Sequence, residues 1–493
     1  MPDLYQELCK LADSDMYPFH MPGHKRNLES TPMKGAFRCD ITEIDGFDNL
    51  HDESGIILEA ERRANRLYGS DETFFLVNGS TCGVLAALSA VTNEGDNVLA
   101  ARGSHKSFYH AAYLRYLKIS YLPYKVEKKY GIPLGYTASE VEACITDDTK
   151  CVFITSPTYE GVCSDVKEIA DICHKRGIPL IVDAAHGAHF GFGNLPQSAT
   201  RQGADLVIHS VHKTLPSMTQ TALLHVQGNL VDRNRLKRFL RIYQSSSPSY
   251  VLMSSIDLCM KEMEERGQEF AQRLITLRER IQSATSKCSC LEVPGKSAIE
   301  DPAKVMIYVK NGTMTGQALY DILREEYNLQ LEMAGDKYAL AIITGWDTEK
   351  GIDRLIEAIL DIDIKLASDG FHTEESQNKE KDSDLIKTDT NGVQYYKLPK
   401  AEMCITEAWD SAKEVVSLEE AKGRVSAEFV NLYPPGIPII APGEKISDEV
   451  VSEVRHYMKN GMNVQGLEEL GLGECSKSSE LLYRKGFLCV RQK

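Results

Sequence analysis

The fold is decided by residues 151–183, which read CVFITSPTYEGVCSDVKEIADICHKRGIPLIVD. The two ends, 151–155 and 180–183, are short apolar runs typical of buried strands. Between them, residues 165–176 carry apolar side chains at helical spacing, and Gly177 follows directly. This strand–helix–strand order predicts a doubly wound α/β sheet with parallel strands. Ligands bind beyond the carboxyl ends of the strands in such a sheet, so the polar residues there are the candidates for chemistry.

A third strand-like run, Leu206-Val-Ile-His, leads into Ser210-Val-His-Lys213-Thr. A lysine at the polar end of a buried strand can form a Schiff base with an aldehyde cofactor. Asp183 ends the preceding strand, and a carboxylate there can pair with the protonated nitrogen of a pyridine ring. Each residue alone has a simpler explanation: Lys213 could be an exposed lysine at the end of a strand, and Asp183 could cap the next helix.

A phosphate site is predicted in residues 75–83, FLVNGSTCG, where a strand turns into a helix. Gly79, Ser80 and Thr81 would hold the phosphate with backbone N–H groups and hydroxyls at the helix N-terminus, and Ser210 would add a hydroxyl. Serine and threonine also cap ordinary helices. The combination with the lysine and the carboxylate is more specific, and it predicts pyridoxal 5'-phosphate as the cofactor.

A zinc site is the competing interpretation of the same segments. The candidate ligands are Asp183, His186, His189, His209 and His212. Their H-x-x-H spacing differs from the i, i+4 spacing of helical zinc sites, and Gly187 disfavours a helix. We therefore expect no metal.

Bulk composition narrows the class of function. A length of 493 residues suggests two or three domains, and the formal charge of −15 disfavours a nucleic-acid partner. No apolar run approaches the roughly 20 residues of a membrane span, and the N-terminus lacks the pattern of a signal peptide. Thirteen scattered cysteines are expected to be free thiols in a reducing cytoplasm.

Four regions are expected along the chain. Residues 1–285 form a PLP-binding major domain with an N-terminal segment, and 255–285 within it read as one long helix. Residues 286–366 form a small α+β domain, and 394–493 form a C-terminal domain. Residues 367–393 are strongly polar and read as an exposed linker.

Seven ordered motifs resemble the bacterial Orn/Lys/Arg decarboxylases of PLP fold type I, the aspartate-aminotransferase fold. These motifs are His20-Met-Pro-Gly-His-Lys, Asp40-Ile-Thr-Glu-Ile-Asp-Gly-Phe-Asp-Asn-Leu, Val77-Asn-Gly-Ser-Thr, Arg102-Gly-Ser-His-Lys-Ser, Ser156-Pro-Thr-Tyr-Glu-Gly, Val182-Asp-Ala-Ala-His-Gly and Ser210-Val-His-Lys-Thr. The first motif begins close to the N-terminus, at His20. In this respect the chain resembles the shorter form of the family, which has no N-terminal receiver-like domain. Decamers built through that domain are therefore not expected.

The resemblance assigns further residues. It implies that His105 stacks on the pyridine face, and that His186 and His212 contact the ring and the phosphate. Longer family members tend to have tryptophan where this chain has His186. The segment Tyr243–Tyr250 resembles one that a neighbouring subunit brings near the cofactor, which implies a homodimer.

The implied reaction is α-decarboxylation of a basic amino acid, with Lys213 or His212 returning a proton to the α-carbon. Arginine is the first choice, because shorter members are often biosynthetic arginine decarboxylases; lysine is the second, and ornithine remains open. The product, agmatine or a diamine, would feed polyamine synthesis. The carboxylate for the distal cation is unassigned among Glu325, Glu326 and Glu332.

Other functions on the same fold stay open. An aminotransferase or aldolase is one alternative, since one scaffold hosts many reactions. Aminotransferases usually hold the α-carboxylate with an arginine of the small domain, where only Arg324 and Arg354 occur, both in apparent helices. A non-catalytic PLP-binding protein is the alternative from another class.

Overall fold

The computed structural model of the protein describes residues 3–27, 32–368, 386–389, 392–432, 437–459, 461–470 and 485–491. Three helices come first: α1 (Leu4–Asp13), α2 (Lys34–Cys39) and α3 (Ile56–Tyr68). Strands and helices then alternate: β1 (Glu72–Leu76), α4 (Gly79–Val91), β2 (Asn97–Ala100), α5 (Lys106–Leu114), β3 (Lys118–Tyr121), β4 (Tyr124–Glu127), β5 (Ile132–Pro133), α6 (Ala138–Cys144), β6 (Thr149–Thr155), α7 (Val166–Lys175), β7 (Leu180–Asp183), β8 (Leu206–Ser210), α8 (Val211–Thr214), β9 (Ala222–Val226) and α9 (Arg233–Tyr243).

A seven-stranded sheet is the centre of this part of the chain. Its strand order is β1-β9-β8-β7-β6-β2-β3. The five strands from β8 to β3 are parallel, while β9 runs antiparallel to both of its neighbours. β7 and β8 are buried along their whole length, which explains their almost continuous apolar sequence. The predicted doubly wound α/β sheet is therefore confirmed, with one antiparallel strand that the βαβ pattern did not predict.

A long helix and a small domain follow. The helix α10 (Tyr250–Ala284) begins five residues before the predicted start. The small domain contains β10 (Leu291–Glu292), β11 (Lys304–Val309), α11 (Gly316–Glu325), β12 (Met333–Ala334), β13 (Tyr338–Ile342) and α12 (Glu349–Ser368). Its four strands form an antiparallel sheet in the order β10-β11-β13-β12. The inner side of α10 shares an apolar core with this sheet, which includes Leu277, Ile281, Val305 and Ile307.

The last elements are β14 (Ile386–Thr388), β15 (Val393–Tyr396), α13 (Ile405–Asp410), β16 (Lys413–Ser417), β17 (Val430–Leu432), β18 (Ile437–Ile440), α14 (Asp448–Lys459), β19 (Val464–Gln465), β20 (Leu467–Glu469) and β21 (Lys485–Val490). Two three-stranded sheets, β16-β21-β20 and β18-β17-β19, belong to this region.

The segment predicted as a linker, 367–393, differs from that prediction at its described ends. The helix α12 extends to Ser368, and β14 pairs with β15, which in turn pairs with β4 of the large domain. This pairing satisfies backbone hydrogen bonds at a distance, so local composition did not indicate it. Residues 369–385, 390 and 391 lie outside the described residues, and the division into four regions stays a prediction.

Candidate active site

Polar side chains end three neighbouring strands at one edge of the large sheet. β6 ends at Thr155, β7 at Asp183 and β8 at Ser210, and the three strands are parallel. A cavity of about 280 Å³ lies beyond this edge. The nine residues predicted from sequence all line it: Gly79, Ser80, Thr81, His105, Asp183, His186, Ser210, His212 and Lys213. The structure thus brings the whole set together, while the role of each residue toward a cofactor stays a prediction.

The turn before α4 is shaped to receive an anion. Gly79 has a φ of +76°, in the left-handed region that favours glycine, and it opens a helix of 13 residues. Ser210 Oγ donates a hydrogen bond to Ser80 Oγ at 2.9 Å, so hydroxyls from two elements meet beside the helix N-terminus. Backbone N–H groups at such an end attract negative charge. With Thr81 also at the cavity wall, the turn fits a phosphate group.

Asp183 supplies a buried acceptor at the same cavity. Its side chain is only 4% exposed, and its Oδ1 accepts a hydrogen bond from the backbone N–H of Ala185 at 3.1 Å. Burial raises the pKa of the carboxyl, whereas the positive charge of Lys213 lowers it. A carboxylate at this depth needs a cationic partner. A protonated pyridine nitrogen would be one, so the carboxylate and the serine-rich turn together fit pyridoxal phosphate.

Lys213 lies in the short helix α8, one turn after β8. Its Nζ is 3.1 Å from Nε2 of His186. Burial lowers the pKa of this lysine, and the charges of Asp183 and Glu332 oppose the shift. A lowered pKa increases the fraction of unprotonated amine, which is the nucleophilic form.

Sequence reasoning missed a second lysine at this site. Lys304, the first residue of β11 in the small domain, is 0% exposed, and its Nζ lies 2.7 Å from Nδ1 of His186. Burial lowers its pKa to about 8. The sequence offers only a weak signal, a lysine directly before the apolar run Val305-Met-Ile-Tyr-Val, because strand ends usually carry exposed lysines.

His105 and His212 are held in defined tautomers. The backbone N–H of Ser107 donates to Nδ1 of His105 at 3.2 Å, so a neutral His105 carries its proton on Nε2. Burial, with the charge of Lys213, lowers the pKa of His105 to about 4, and the ring is neutral near pH 7. His212 instead donates from Nδ1 to the carbonyl of Thr221 at 2.9 Å, and burial lowers its pKa.

Other cavity residues were also missed. The wall also includes Tyr124, Tyr136, Tyr159 and Glu160. Of these, Tyr159 and Glu160 belong to the turn that follows β6. Glu160 is buried and accepts a hydrogen bond from Tyr338 Oη at 3.1 Å. Burial raises the pKa of the Glu160 carboxyl. The motif Ser156-Pro-Thr-Tyr-Glu-Gly was the available signal, but it did not show which of its side chains face the cavity.

The three candidate carboxylates for a distal cation are in different surroundings. Glu325 and Glu326 lie at the exposed surface in ion pairs with Arg324 and Lys365. Glu332 accepts a hydrogen bond from Tyr159 Oη, and its charge acts on both Lys213 and Lys304. Glu332 is exposed as well and does not line the cavity, but its hydrogen-bond partner Tyr159 does.

The arginines of the small domain lie in helices, as expected, and have partners within that domain. Arg324 pairs with Asp321 on α11 at 3.0 Å. Arg354, on α12, donates to the carbonyls of Tyr327 and Asn328. Neither one lines the cavity.

The residues of the competing zinc interpretation have separate partners. His189 Nε2 is 2.8 Å from Asp301 Oδ1, and His209 Nδ1 is 3.0 Å from His225 Nε2. In the part of the chain that the structure describes, no three His, Cys, Asp or Glu side chains are grouped so that they could hold a metal ion. The described helices likewise include none that is long and apolar enough to cross a bilayer.

Comparison with known proteins identifies the family. The model of the Orn/Lys/Arg decarboxylase major domain matches residues 2–349, and that of the C-terminal domain matches residues 389–465. The chain belongs to the Orn/Lys/Arg decarboxylase family. Its members decarboxylate basic amino acids, and this chain is accordingly a decarboxylase of that class.

Relatives of nearly equal length occur in Bacillus subtilis. An arginine decarboxylase of that species is 32% identical over 482 residues, which cover 94% of this chain and 95% of the relative. The uncharacterized protein YaaO of the same species is 36% identical over 479 residues, with the same coverage. The lysine decarboxylase LdcA of Pseudomonas aeruginosa is 22% identical over 569 residues, or 93% of this chain and 76% of that protein.

Solved structures show the same fold. The lysine decarboxylase LdcF of Francisella novicida superposes with a TM-score of 0.81 at 18% identity, over all of this chain and 81% of that one. An alanine–glyoxylate aminotransferase from Nostoc superposes with a TM-score of 0.51 at 14% identity, over 62% of this chain and 86% of that one. The decarboxylase thus has the predicted aspartate-aminotransferase-like fold, PLP fold type I.

Proposed function

We propose that the protein is an arginine decarboxylase that converts L-arginine to agmatine and carbon dioxide for polyamine synthesis. The observation that carries this proposal is the meeting of Lys213, Asp183 and the Ser80–Ser210 pair at one cavity in a member of this family. Arginine is favoured over lysine because full-length relatives named arginine decarboxylase are 31–32% identical to the chain.

Pyridoxal phosphate would be held by residues that already surround the cavity. Lys213 would form the covalent bond to its aldehyde carbon, and Asp183 would pair with its ring nitrogen. The hydroxyls of Ser80, Thr81 and Ser210 would form hydrogen bonds with its phosphate. When bound, this cofactor supplies an electron sink for the electron pair that the departing carboxyl group leaves behind. The neutral ring of His105 fits the aromatic wall that the family resemblance assigns to it.

Lys213 is a better proton donor to the α-carbon than His212. The Nδ1 proton of His212 is held by the carbonyl of Thr221, and burial disfavours a second proton on its Nε2. The amine of Lys213 would be free when the α-carbon receives its proton; burial lowers its pKa, so that it gives up a proton readily, and the charges of Asp183 and Glu332 favour the protonated form that can donate. Of the two candidates, Lys213 therefore returns the proton.

Glu332 is proposed to bind the guanidinium group of the substrate. All three glutamates are exposed, but Glu332 accepts a hydrogen bond from the cavity residue Tyr159, whereas Glu325 and Glu326 are in ion pairs with Arg324 and Lys365. Arginine and carboxylate groups form strong, charge-assisted pairs. Lysine remains the second candidate substrate, because an ammonium ion would also pair with this carboxylate.

A homodimer in the cytoplasm is the proposed setting. The segment Tyr243–Tyr250 packs beside the phosphate turn of its own chain, where the backbone N–H of Ser245 donates to Asn78 Oδ1 at 3.3 Å. Residues 245–247 are exposed and available to a second subunit. The twelve described cysteines are all free, as expected in a reducing compartment. Sedimentation of the purified protein at micromolar concentration tests the dimer.

Turnover of the PLP-loaded protein with L-arginine, L-lysine and L-ornithine tests the function. Carbon dioxide and amine released together from arginine alone support the proposal. Release from lysine or ornithine moves the assignment to that substrate. A spectral change without carbon dioxide points to transamination, to an aldolase reaction or to a binding role.

A further inference from the structure

His186 connects two lysines that come from different domains. Its Nε2 is 3.1 Å from Lys213 Nζ, and its Nδ1 is 2.7 Å from Lys304 Nζ. Lys213 belongs to the large domain and Lys304 to the first position of β11 in the small domain. Because Lys304 is 0% exposed, this contact lies in the interior of the protein.

The chain is locally shaped to let Lys304 reach His186. Gly161 has a φ of +99°, and a Cβ at this position would lie 2.6 Å from Lys304 Cγ and 2.9 Å from Asp301 Cβ. A side chain at residue 161 would therefore displace the stem of the lysine. The ring of Tyr159 contacts both groups: Lys304 Nζ lies 5.4 Å from its centroid, and the His186 ring lies tilted against it with the two centroids 4.4 Å apart.

The two distances indicate which lysine carries a proton. A hydrogen bond from an ionised donor is shorter than one between neutral groups. The contact from Lys304 falls in the shorter class. The carboxylates of Asp301, Glu332 and Glu160 favour a charge on Lys304, whereas burial and a charge on Lys213 oppose it. The shorter contact is therefore what assigns the proton to Lys304. His105 and His189 also face His186, and both lower its pKa.

A definite tautomer follows from this charge. An ammonium group can only donate, so Nδ1 of His186 accepts and the single ring proton lies on Nε2. Nε2–H then points at Lys213 Nζ, and this bond requires a lone pair on that nitrogen. Burial and the two neighbouring lysines hold the pKa of His186 well below its usual range, so a doubly protonated ring is excluded near pH 7.

We propose that Lys304 is a positioning residue that acts through His186 to hold Lys213 as an unprotonated amine. The unprotonated amine is the form that attacks an aldehyde carbonyl. The small domain thereby contributes to the capture of the cofactor without touching it. The proposal rests on the assignment of Lys213 as the cofactor-binding lysine, but not on the identity of the substrate.

The test measures cofactor capture by the apo-protein in the absence of any amino acid. Apo-protein is mixed with excess pyridoxal phosphate between pH 6 and 10, and the rate is followed by the absorbance of the bound cofactor. The wild-type protein is compared with Lys304→Met, with Lys304→Arg, and with Lys310→Met as the matched control. Lys310 is a lysine of the same domain whose Nζ donates to the carbonyl of Cys288, away from the cavity.

In Lys304→Met, the pH midpoint of the capture rate is expected to rise by about one unit, which is a tenfold slower capture below the midpoint. Lys304→Arg should restore most of the wild-type midpoint, and Lys310→Met should leave it unchanged. A purely structural role would lower the final amount of bound cofactor without moving the midpoint. An unchanged or lowered midpoint in folded Lys304→Met overturns the proposal.

The tautomer provides a second, independent readout. In wild-type apo-protein with ¹⁵N-labelled histidine, the signals of His186 are assigned by their loss in His186→Gln. A proton on Nε2 supports the proposal, and a proton on Nδ1 overturns it, since Lys213 would then carry the charge. This measurement stands even where Lys304→Met fails to fold. Because no substrate is present, neither readout depends on whether arginine is decarboxylated.

Discussion

Arg102 and Glu444 form a buried, two-point ion pair between the large domain and the C-terminal domain. Arg102 Nη1 is 2.5 Å from Glu444 Oε1, and Nη2 is 2.9 Å from Oε2. Both side chains are at most 3% exposed. Arg102 directly precedes the Gly103–His105 turn, and both Gly103 and His105 line the cavity. The C-terminal domain therefore anchors the turn that carries the proposed stacking histidine.

The first prediction concerns this ion pair. Glu444→Gln leaves the charge of Arg102 buried without a counter-charge, which typically costs about 3–5 kcal/mol. We expect the free energy of unfolding in urea to fall by about that amount. Glu420→Gln, at the exposed surface, should leave it unchanged. A double variant, Arg102→Met with Glu444→Met, should recover part of the loss, since apolar pairs often replace buried ion pairs well. Equal stability of Glu444→Gln and wild type would contradict this role.

Lys213 is the subject of the second prediction. Lys213→Ala removes both the amine that bonds the cofactor and the proposed proton donor. We expect turnover to fall by at least about 10²–10⁴-fold, the usual effect of losing one acid–base group. Lys175→Ala, an exposed lysine of α7, serves as the control and should turn over at the wild-type rate. Full activity of Lys213→Ala would remove the proposed mechanism.

The sequence predicted those residues of the site that lie at or just after the carboxyl ends of neighbouring strands. Asp183, Ser210 and Lys213 end or follow strands with a βαβ pattern, and the carboxyl ends of parallel strands share one edge of the sheet. The Gly79–Thr81 turn was found from another local pattern, a strand followed by a Gly-Ser-Thr turn and a helix N-terminus. Local pattern and topology together were enough to place these residues around one cavity.

The missed residues depend on contacts between domains. Lys304 is buried where the start of β11 docks against the turn that contains Gly161. Glu444 reaches Arg102 from 342 positions away. A single sequence records neither the docking nor the burial, and both residues carry charges that usually lie at the surface. The strands β14 and β15 were missed for a similar reason, since β14 pairs with β15 and β15 pairs with β4 of the large domain.

The third prediction addresses the choice of substrate. Glu332→Gln keeps an acceptor for Tyr159 Oη but removes the negative charge beside the cavity. Hydrogen bonds to charged groups contribute about 1.5–3 kcal/mol, so the KM for arginine should rise by about 10- to 100-fold. The kcat should change much less, because Glu332 is proposed to bind the substrate rather than to transfer a proton.

Glu325→Gln is the matched control, since Glu325 lies in the same domain at the exposed surface. Its KM should equal that of the wild type. If the KM of Glu332→Gln also stays within twofold of wild type, the distal group binds elsewhere, and the buried Glu160 becomes the carboxylate to test.

The last prediction concerns acid stability and the buried pair His209 and His225. His209 is 0% exposed, its Nδ1 is 3.0 Å from Nε2 of His225, and burial lowers its pKa to about 3. An unfolded histidine has a pKa of about 6.5. Between these values the unfolded chain binds a proton that the folded chain does not. The free energy of unfolding should therefore fall by about 1.4 kcal/mol per pH unit for each such histidine as the pH decreases from 6.5.

Urea titrations from pH 6 to pH 4 test this dependence. The free energy of unfolding of His209→Gln should change with pH by about 1.4 kcal/mol per pH unit less than that of the wild type, whatever its stability at pH 7. Parallel slopes for His209→Gln and wild type would mean that His209 is protonated in the folded protein.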